Sequence, residues 1–397
     1  MSALVASYAR ADLAFSQGEG AWLWTVDGRR LLDFTAGIAT CSLGHGHPHL
    51  TAAIARQAGR LIHVSNLYRI PEAELLAERL VSACFPGKMF FCNSGAEANE
   101  GMVKMARRAM HAAGHPERYR MICFEGAFHG RTLAMISATG NPKYLEGFGP
   151  EVDGFDHVPF NNLNALRDAI TPLTAGIIVE PIQGESGIKP AGTEFLRGLR
   201  AACDEFGLVL CFDEVQCGMG RTGTLMASQQ AGVTPDIVSF AKGIAGGFPM
   251  GAILAREEIA KNMTPGSHAS TFGGNPLAAA AANAVLDVIL ADGFLDQVAA
   301  RGAWLKAKLT ALAKAHPEML GEVRGSGLML GIECLRGNSE MQRACLEEGM
   351  LSVTAGKNVL RLVPPLIVSE SDCEEAISRL SRAVTRLATL QNHMVPA

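Results

Sequence analysis

Two charged side chains, Asp213 and Lys242, each follow a short apolar run of the sequence, residues 208–212 and 237–240. Because the carboxyl ends of parallel strands meet at one edge of a sheet, we expect both side chains at the edge where α/β proteins bind ligands. A lysine amine that can form a Schiff base, opposed by a carboxylate that can hold a pyridinium nitrogen, is the minimum equipment for pyridoxal phosphate chemistry. The pair predicts that cofactor, although acids and lysines at strand ends also occur without it.

Another apolar run, residues 89–92, leads directly into Ser94, Gly95 and Ala96 and then into a helical pattern. The amides at the start of a helix and the positive end of its dipole attract anions, and a glycine lets an anion approach closely. The three residues therefore indicate a phosphate site. The alternative is an ordinary strand-to-helix turn in which Ser94 caps the helix.

Two loops that follow other apolar runs offer aromatic and charged side chains. In the first loop, Phe128 can lie flat against a planar ring and Arg131 can offer a bidentate fork to a carboxylate. The alternative is a half-buried aromatic beside a solvated arginine, and His129 is interpreted as structural. In the second loop, Glu185 can be a general base, a metal ligand or the partner of an arginine, and its spacing does not choose among them.

His45, His47 and His49 alternate along the chain, as metal ligands on one face of a strand can. Gly46 and Pro48 disfavour a regular strand at this point. We therefore predict a turn whose histidines form local hydrogen bonds, and no metal site.

The composition favours a compact soluble protein that acts on small molecules. The chain has 397 residues, 48% of them hydrophobic and 19% charged, which allows a large core and more than one domain. A formal charge of −4 without long basic runs argues against nucleic acid or an anionic membrane as partner. Ten scattered cysteines and the lack of a secretory signal in residues 1–12 predict a cytoplasmic protein. Residues 277–291 are apolar but short, and they predict a buried helix.

The apolar runs alternate with longer helical patterns, which is typical of a mostly parallel sheet covered by helices on both faces. We therefore predict an α/β fold with a large domain over residues 61–295. The runs that predict its strands are residues 89–92, 121–124, 176–179, 208–212, 237–240 and 252–254.

A smaller α+β domain is predicted for residues 296–397. It contains a helical pattern, two strand patterns around a Gly-Ser-Gly bend, and a final helix that Ser369 and Asp372 open with the spacing of a capping box. The N-terminal segment 1–60 contains a hairpin pattern over residues 21–34 and is expected to pack beside this domain.

Taken together, the motifs resemble those of the class III aminotransferases, which are pyridoxal phosphate enzymes of fold type I. The resemblance covers nearly the whole chain and implies a large domain with a mostly parallel central sheet and a smaller domain from the two terminal segments. The motifs that carry it, in the order of the family, are residues 44–48, 93–98, 213–216, 242–243, 271–276 and 361–365.

The resemblance also implies roles for individual residues. Lys242 and Asp213 are expected to be catalytic, the first as the Schiff-base lysine and the second as the partner of the pyridine nitrogen. Thr271 is expected to reach the phosphate of the neighbouring subunit, which implies a homodimer with shared active sites, and Ser270 is expected to contact substrate. The other cofactor-binding residues implied are Ser94, Gly95 and Ala96 around the phosphate, Phe128 on the ring, Val215, and Gln216 near the cofactor hydroxyl.

Three charged residues are assigned to the substrates by the same resemblance. Arg131 is expected to bind the distant carboxylate of either substrate. Arg361 is expected to bind the α-carboxylate of 2-oxoglutarate, and to be neutralised by Glu185 when the donor presents a terminal amine.

The activity that the resemblance implies is transfer of the δ-amino group of N2-acetyl-L-ornithine to 2-oxoglutarate, in arginine biosynthesis. Other ω-amine donors are alternatives within the family: succinylornithine, ornithine, 4-aminobutyrate or N-succinyl-diaminopimelate. A non-catalytic binding protein that kept the cofactor pocket is an alternative of another class. A nicotinamide-dependent oxidoreductase is more distant, because the glycines of residues 325–331 miss the dinucleotide spacing and precede a strand.

Overall fold

A computed structural model describes residues 3–392 of the chain. Residues 1–2 and 393–397, which the predicted segments 1–60 and 296–397 include, lie outside the described residues. The strands are β1 (Phe15–Glu19), β2 (Trp22–Thr25), β3 (Arg30–Asp33), β4 (Lys88–Cys92), β5 (Arg120–Phe124), β6 (Phe155–Val158), β7 (Thr174–Val179), β8 (Ile182–Gln183), β9 (Lys189–Pro190), β10 (Val209–Asp213), β11 (Ile237–Phe240), β12 (Gly251–Ala255), β13 (Leu320–Ser326), β14 (Met329–Cys334), β15 (Met350–Leu351), β16 (Val353–Ala355) and β17 (Val359–Leu362).

The helices connect these strands and cover the sheets. The α-helices are α1 (Ala36–Ala39), α2 (Pro48–Ala58), α3 (Pro71–Ala83), α4 (Gly95–Ala112), α5 (Leu133–Thr139), α6 (Pro142–Leu145), α7 (Leu163–Asp168), α8 (Thr193–Phe206), α9 (Glu257–Ala260), α10 (Pro276–Ile289), α11 (Phe294–Ala315), α12 (Asn338–Glu347) and α13 (Glu370–Asn392). Two 3₁₀-helices span Ala227–Ala231 and Lys242–Ala245.

The central sheet has the strand order β4-β12-β11-β10-β7-β5-β6. Strands β5, β6, β7, β10 and β11 pair in parallel, which confirms the predicted mostly parallel α/β fold. Strand β12 is antiparallel to both of its neighbours. The reason is the short connection of residues 241–250 between β11 and β12, because a parallel pair needs a longer crossover. Strand β6, which the apolar runs did not predict, is a short edge strand that is only partly buried.

Helices cover both faces of this sheet, so its central strands β7, β10, β11 and β12 are buried throughout. Along β10, Leu210 and Phe212 pack in one core cluster, while Val209 and Cys211 pack in the other. This alternation follows from the two-residue period of a strand. Helix α8 contributes to the first cluster and helix α4 to the second. Side chains at the carboxyl end of β10 are thereby held by packing on both sides.

The remaining strands form a second unit. Strands β13, β14, β17 and β16 make an antiparallel sheet, against which α11 packs. Strand β3 pairs in parallel with β15, and Trp22 Nε1 donates a hydrogen bond to Asp372 Oδ1 at 2.8 Å, so the N-terminal hairpin joins the C-terminal part. Ser369 and Asp372 form the predicted capping box at the start of α13. Helix α2, within the predicted segment 1–60, instead packs on α10, and the division into domains stays a prediction.

The apolar stretch of residues 277–291 forms most of helix α10, which is mostly buried as predicted. No single helix of the described residues is long and apolar enough to cross a membrane. Helices α10 and α11 meet that criterion of length and composition only as a pair, and they are bent by 71° relative to each other.

Candidate active site

A cavity of about 430 Å³ lies at the carboxyl edge of the central sheet. The loops that follow β4, β5, β7, β10 and β11 converge here, as expected for a parallel sheet. The predicted site residues that line the cavity are Ser94, Gly95, Ala96, Phe128, Arg131, Asp213, Val215, Gln216 and Lys242.

Asp213, the last residue of β10, is held in one orientation by three donors. Its Oδ2 accepts hydrogen bonds from Asn99 Nδ2 at 2.7 Å and from His129 Nδ1 at 2.8 Å. Its Oδ1 accepts from the Val215 amide at 3.0 Å. Ser239 Oγ in turn donates to Asn99 Oδ1 at 2.7 Å, which fixes the asparagine amide. The carboxylate is thus pre-oriented toward the cavity.

Lys242 begins the 3₁₀-helix after β11 and has a φ of +45°, a region that side chains other than glycine rarely adopt. Its side chain lines the cavity, where burial lowers the pKa of the amine to about 8, although the charge of Glu185 opposes the shift. A lysine amine that loses its proton near neutral pH is a competent nucleophile and base.

The lowered pKa predicts how Lys242 reacts in the protein without cofactor. The fraction of neutral amine is expected to rise through about pH 8, because a lower pKa means that the proton leaves at a lower pH. An acylating amine reagent applied over a range of pH, with peptide mapping, measures this midpoint. The exposed Lys143 serves as control. A midpoint for Lys242 near about pH 10.4, the value of a free lysine, would contradict the prediction.

The first turn of α4 forms one wall of the cavity. Ser94 is its N-cap, and its Oγ accepts a hydrogen bond from the Glu97 amide at 3.2 Å. A Cβ at Gly95 would lie 2.8 Å from Val215 Cγ1, so only glycine fits there without a shift. The predicted capping turn is therefore present, and the 18-residue helix directs its positive end into the cavity, where an anion would be favoured. The phosphate site itself stays a prediction.

The loop after β5 provides the aromatic wall. Phe128 is half-buried, and the guanidinium of Arg131 lies 3.7 Å from the ring centroid of Tyr144 and 5.5 Å from that of Phe128. The arginine is exposed, so it can meet a carboxylate that enters the cavity while the rings support its planar group.

Arg361, on β17 of the second unit, and Glu185 do not line the cavity, but Arg361 is linked by a hydrogen bond to Gln216, which does. Its Nη1 lies 2.6 Å from Glu185 Oε1 and donates to Gln216 Oε1 at 2.9 Å. Arg361 is buried, whereas the Glu185 side chain is 29% exposed. Burial raises the pKa of Glu185, but the Arg361 guanidinium outweighs that effect and the net shift is downward. Among the roles that spacing left open, the structure places Glu185 as the partner of an arginine.

Ser270 and Thr271 do not line this cavity. They border a separate cavity of about 590 Å³ beside Asn66 and His268. Ser270 Oγ accepts a hydrogen bond from Asn93 Nδ2 at 3.2 Å, and Thr271 is exposed.

Two of the three alternating histidines bond to carboxylates of distant elements and not locally as predicted, and His47 Nδ1 is buried without a hydrogen-bond partner among the described residues. His45 Nε2 lies 2.7 Å from Asp33 Oδ2, and His49 Nε2 lies 2.7 Å from Asp287 Oδ2 on α10. The turn places the rings on different partners, since acidic side chains from other elements face it. No cluster of three or more potential metal ligands occurs within residues 3–392.

Sequence reasoning missed Asn99 and Glu180 and treated His129 as structural. Glu180 follows β7 and accepts hydrogen bonds from the amides of Phe128 at 2.8 Å and Gly184 at 3.3 Å, and burial raises its pKa to about 8. Its position after an apolar run was the same signal that identified Asp213. Burial lowers the pKa of His129, but the hydrogen bond to Asp213 outweighs it and the net shift is upward. No sequence pattern links Asn99 or His129 to Asp213.

These features fit pyridoxal phosphate on chemical grounds. The helix start with Gly95 suits a phosphate, Phe128 suits a planar ring, Asp213 suits a ring nitrogen that carries a proton, and Lys242 suits an aldehyde. A cavity of about 430 Å³ is of the size that holds small cofactors.

Comparisons with known proteins agree with this fit. The family model for class-III aminotransferases matches residues 5–384. The acetylornithine aminotransferase of Mesorhizobium japonicum is 55% identical over 387 residues, which are 98% of this chain and 97% of that protein. The crystal structure of N-acetylornithine aminotransferase from Stenotrophomonas maltophilia has a TM-score of 0.85 at 36% identity, covering 96% of this chain and 98% of that one. The crystal structure of ornithine aminotransferase from Toxoplasma gondii has a TM-score of 0.94 at 29% identity, covering 98% of this chain and 93% of that one.

Proposed function

The chain belongs to the class-III aminotransferases, enzymes that use pyridoxal 5′-phosphate, and we propose that it transfers the δ-amino group of N2-acetyl-L-ornithine to 2-oxoglutarate. The products are N-acetyl-L-glutamate 5-semialdehyde and L-glutamate, and the reaction belongs to arginine biosynthesis. The names of the relatives from Mesorhizobium japonicum and Stenotrophomonas maltophilia support this choice of donor.

The observation that carries the proposal is the ion pair between Glu185 and Arg361, which a hydrogen bond links to Gln216 in the lining of the cavity that Arg131 also lines. With N-acetylornithine, the α-carboxylate pairs with Arg131. The reacting end of this substrate, at the δ-carbon, has no carboxylate, so Glu185 neutralises Arg361 there. With 2-oxoglutarate, Glu185 leaves, Arg361 binds the α-carboxylate and Arg131 binds the distant carboxylate. In this proposal one cavity accepts two substrates of different charge, because the partly exposed Glu185 side chain pairs with Arg361 for one substrate and leaves it for the other.

The chain's own residues divide the remaining work. When bound, pyridoxal 5′-phosphate supplies an aldehyde that accepts the amino group and a ring that withdraws electrons from the reacting carbon. Lys242 Nζ would hold this aldehyde and then move a proton at the reacting carbon, for which a pKa of about 8 is well matched. Asp213 would keep the ring nitrogen protonated. Gly95 and Ala96 with Ser94 would hold the phosphate, Phe128 would stack on the ring, Gln216 would lie near the cofactor hydroxyl, and Val215 would also contact the cofactor.

The visible absorbance spectrum of the holoenzyme tests the proposal. N-acetylornithine is expected to bleach the yellow absorbance of the bound cofactor, and 2-oxoglutarate is expected to restore it. L-ornithine, 4-aminobutyrate, succinylornithine and N-succinyl-diaminopimelate are compared at equal concentration. If one of these reacts with a kcat/KM above that of N-acetylornithine, the donor assigned here is wrong. A yellow enzyme that responds to no amine would instead favour a binding protein.

Replacing Arg131 or Glu185 with alanine is expected to give different losses. Because Arg131 is exposed, its loss should lie at the lower end of about 2–5 kcal/mol, or roughly 30-fold in KM, for both substrates. Glu185→Ala should change mainly the ratio of kcat/KM for N-acetylornithine over L-glutamate, lowering it by roughly tenfold, because Arg361 stays unneutralised with the amine donor. Half-reactions followed by absorbance measure both effects.

The matched control is Glu348→Ala, which removes the carboxylate of a surface pair with Arg382. It should leave both half-reactions unchanged. Equal losses for both substrates in Glu185→Ala would contradict the switching role of Glu185.

A homodimer with shared sites completes the proposal, with Thr271 serving the phosphate of the neighbouring subunit and Ser270 lying beside the substrate. Thr271 is exposed in the single chain and lines a different cavity, which supports a role outside its own subunit. Subunits carrying Lys242→Ala, mixed with subunits carrying Thr271→Glu, should form dimers with one intact site and regain activity. If Thr271 serves its own subunit, the mixture stays as inactive as its parents.

A cytoplasmic location is also part of the proposal. All ten cysteines are free thiols, and eight of them are buried, which suits a reducing compartment. Fractionation of cells that express the tagged protein tests this location.

A further inference from the structure

Arg221 is a buried cation with no carboxylate partner among the described residues. Its Nη1 donates hydrogen bonds to two backbone carbonyls, that of Leu328 at 3.1 Å and that of Pro364. Its Nη2 is buried without a hydrogen-bond partner in the described part of the chain. Burial lowers the pKa of this guanidinium to about 9. A charge buried in this way is unfavourable for folding by itself, so its presence calls for a reason.

The reason lies in the loop that carries Arg221, residues 214–226, which we call the bracket loop. This loop follows Asp213 and ends where the first 3₁₀-helix begins. Its two ends are tied together, because the carboxylate of Glu214 accepts hydrogen bonds from the amides of Ala227 at 2.6 Å and Ser228 at 2.9 Å. The bracket loop is therefore a fixed part of the central-sheet unit.

The bracket loop contacts the Arg361 segment at two points. Gln216 accepts a hydrogen bond from the Arg361 guanidinium itself, at 2.9 Å. Arg221 donates to the carbonyl of Pro364, three residues further along the chain. One contact orients the side chain of Arg361, and the other fixes the backbone that supports it.

Arg221 also forms hydrogen bonds with the bend that precedes β14. The Leu328 amide donates to the Arg221 carbonyl at 2.9 Å, while the Arg221 side chain donates back to the Leu328 carbonyl. A Cβ at Gly327 would lie 2.5 Å from the carbonyl carbon of Thr222, so the two backbones touch here. Because β14 pairs with β17, the hydrogen bonds between Arg221 and Leu328 hold the sheet that carries Arg361 against the bracket loop.

We propose that Arg221 is a positioning residue for Arg361, holding its strand at the distance where the guanidinium can bind the α-carboxylate of a dicarboxylate substrate. The inference rests on the proposed function, in which Arg361 binds 2-oxoglutarate and L-glutamate. With an ω-amine donor, the ion pair with Glu185 itself holds Arg361 in place. Loss of Arg221 should therefore weaken the L-glutamate half-reaction more than the N-acetylornithine half-reaction.

The test compares Arg221→Met and Arg221→Lys as holoenzymes in single-turnover absorbance measurements. Arg221→Met is expected to raise the apparent Kd for L-glutamate by about tenfold or more and that for N-acetylornithine by less than about threefold. Arg221→Lys should recover part of the loss, because its ammonium can still donate to both carbonyls. Equal changes for both substrates, or no change, would overturn the proposal.

Arg118→Met is the matched control. The Arg118 guanidinium also donates to two backbone carbonyls, those of Thr174 at 2.8 Å and Phe206 at 3.1 Å, but at the opposite edge of the sheet. It should lower Tm without changing the ratio of the two Kd values, and a similar ratio change in this control would overturn the inference. If Arg221→Met does not fold, Arg221→Lys decides by the same ratio.

Failure of the proposed function would be visible separately. In that case the wild-type enzyme would not react with N-acetylornithine, and whichever of the four compared amines does react would replace it as the amine donor. The comparison with L-glutamate then still tests Arg221.

Discussion

Replacing Lys242 with alanine is expected to reduce kcat for the complete transamination by at least about 10⁴-fold, because the change removes both the covalent anchor and the proton-transfer group. Lys242 is the one lysine among the described residues that line the cavity, so no neighbour can take over its role. The variant should still bind the cofactor through the first turn of α4 and Phe128. Steady-state rates, with bound cofactor quantified by absorbance, measure the effect.

Two controls separate this chemical loss from a structural one. Lys104→Ala removes a lysine whose Nζ lies 2.8 Å from His268 Nδ1, outside the cavity, and should leave kcat unchanged. Added ethylamine should restore part of the activity of Lys242→Ala, because a small free amine can occupy the space that the side chain leaves. A Lys242→Ala variant that retains more than a tenth of the wild-type rate would refute the role assigned to this residue.

The second large effect is expected for Asp213→Asn, with a loss of about 10³-fold in kcat. Asparagine has nearly the same shape as aspartate, and its amide oxygen can still accept the hydrogen bond from the Val215 amide, while its NH2 group would face Asn99 and His129 as a donor. It carries no negative charge, however, and cannot hold a ring nitrogen in its protonated form. The loss should therefore appear in kcat for both half-reactions, while the KM values change little.

Asp236→Asn is the matched control for this prediction. Asp236 accepts a hydrogen bond from the Leu210 amide at 2.8 Å and pairs with Arg200, at the other end of the same strand pair. This change should lower Tm without a loss in kcat. A loss of less than about tenfold in Asp213→Asn would mean that the charge of Asp213 is not needed.

The sequence by itself determined which strands carry the site and at which edge of the sheet the site lies. Apolar runs with helical patterns between them predicted a mostly parallel sheet, because a strand buried on both faces must be apolar at every position. The residues after those runs, Asp213 and Lys242 among them, lie at one edge of the sheet in the structure. Local geometry alone makes this possible, since parallel strands end at the same edge.

Only the tertiary structure decided which distant side chains meet. Arg361 reaches Glu185 across 176 positions of the chain, and Asn99 reaches Asp213 across 114. The resemblance to a family suggested the first pair, whereas nothing in the sequence suggested the second. The sequence also did not predict the carboxylate partners of His45 and His49 or the hydrogen bond from Arg221 to Pro364.

The physical reason is that sequence patterns reflect interactions between residues close together in the chain, whereas these contacts join residues that are far apart in the chain. Periodicity and turn residues act over a few positions, so they fix strands, helix starts and the edge at which a loop emerges. A hydrogen bond between loops depends on the packing of whole units, because helices and sheets set the distances between their ends. Asp213 and Lys242 could therefore be found from the sequence. The network that orients Asp213 arises only when distant segments of the central-sheet unit pack together, and the contacts that hold Arg361 arise only when the two units meet.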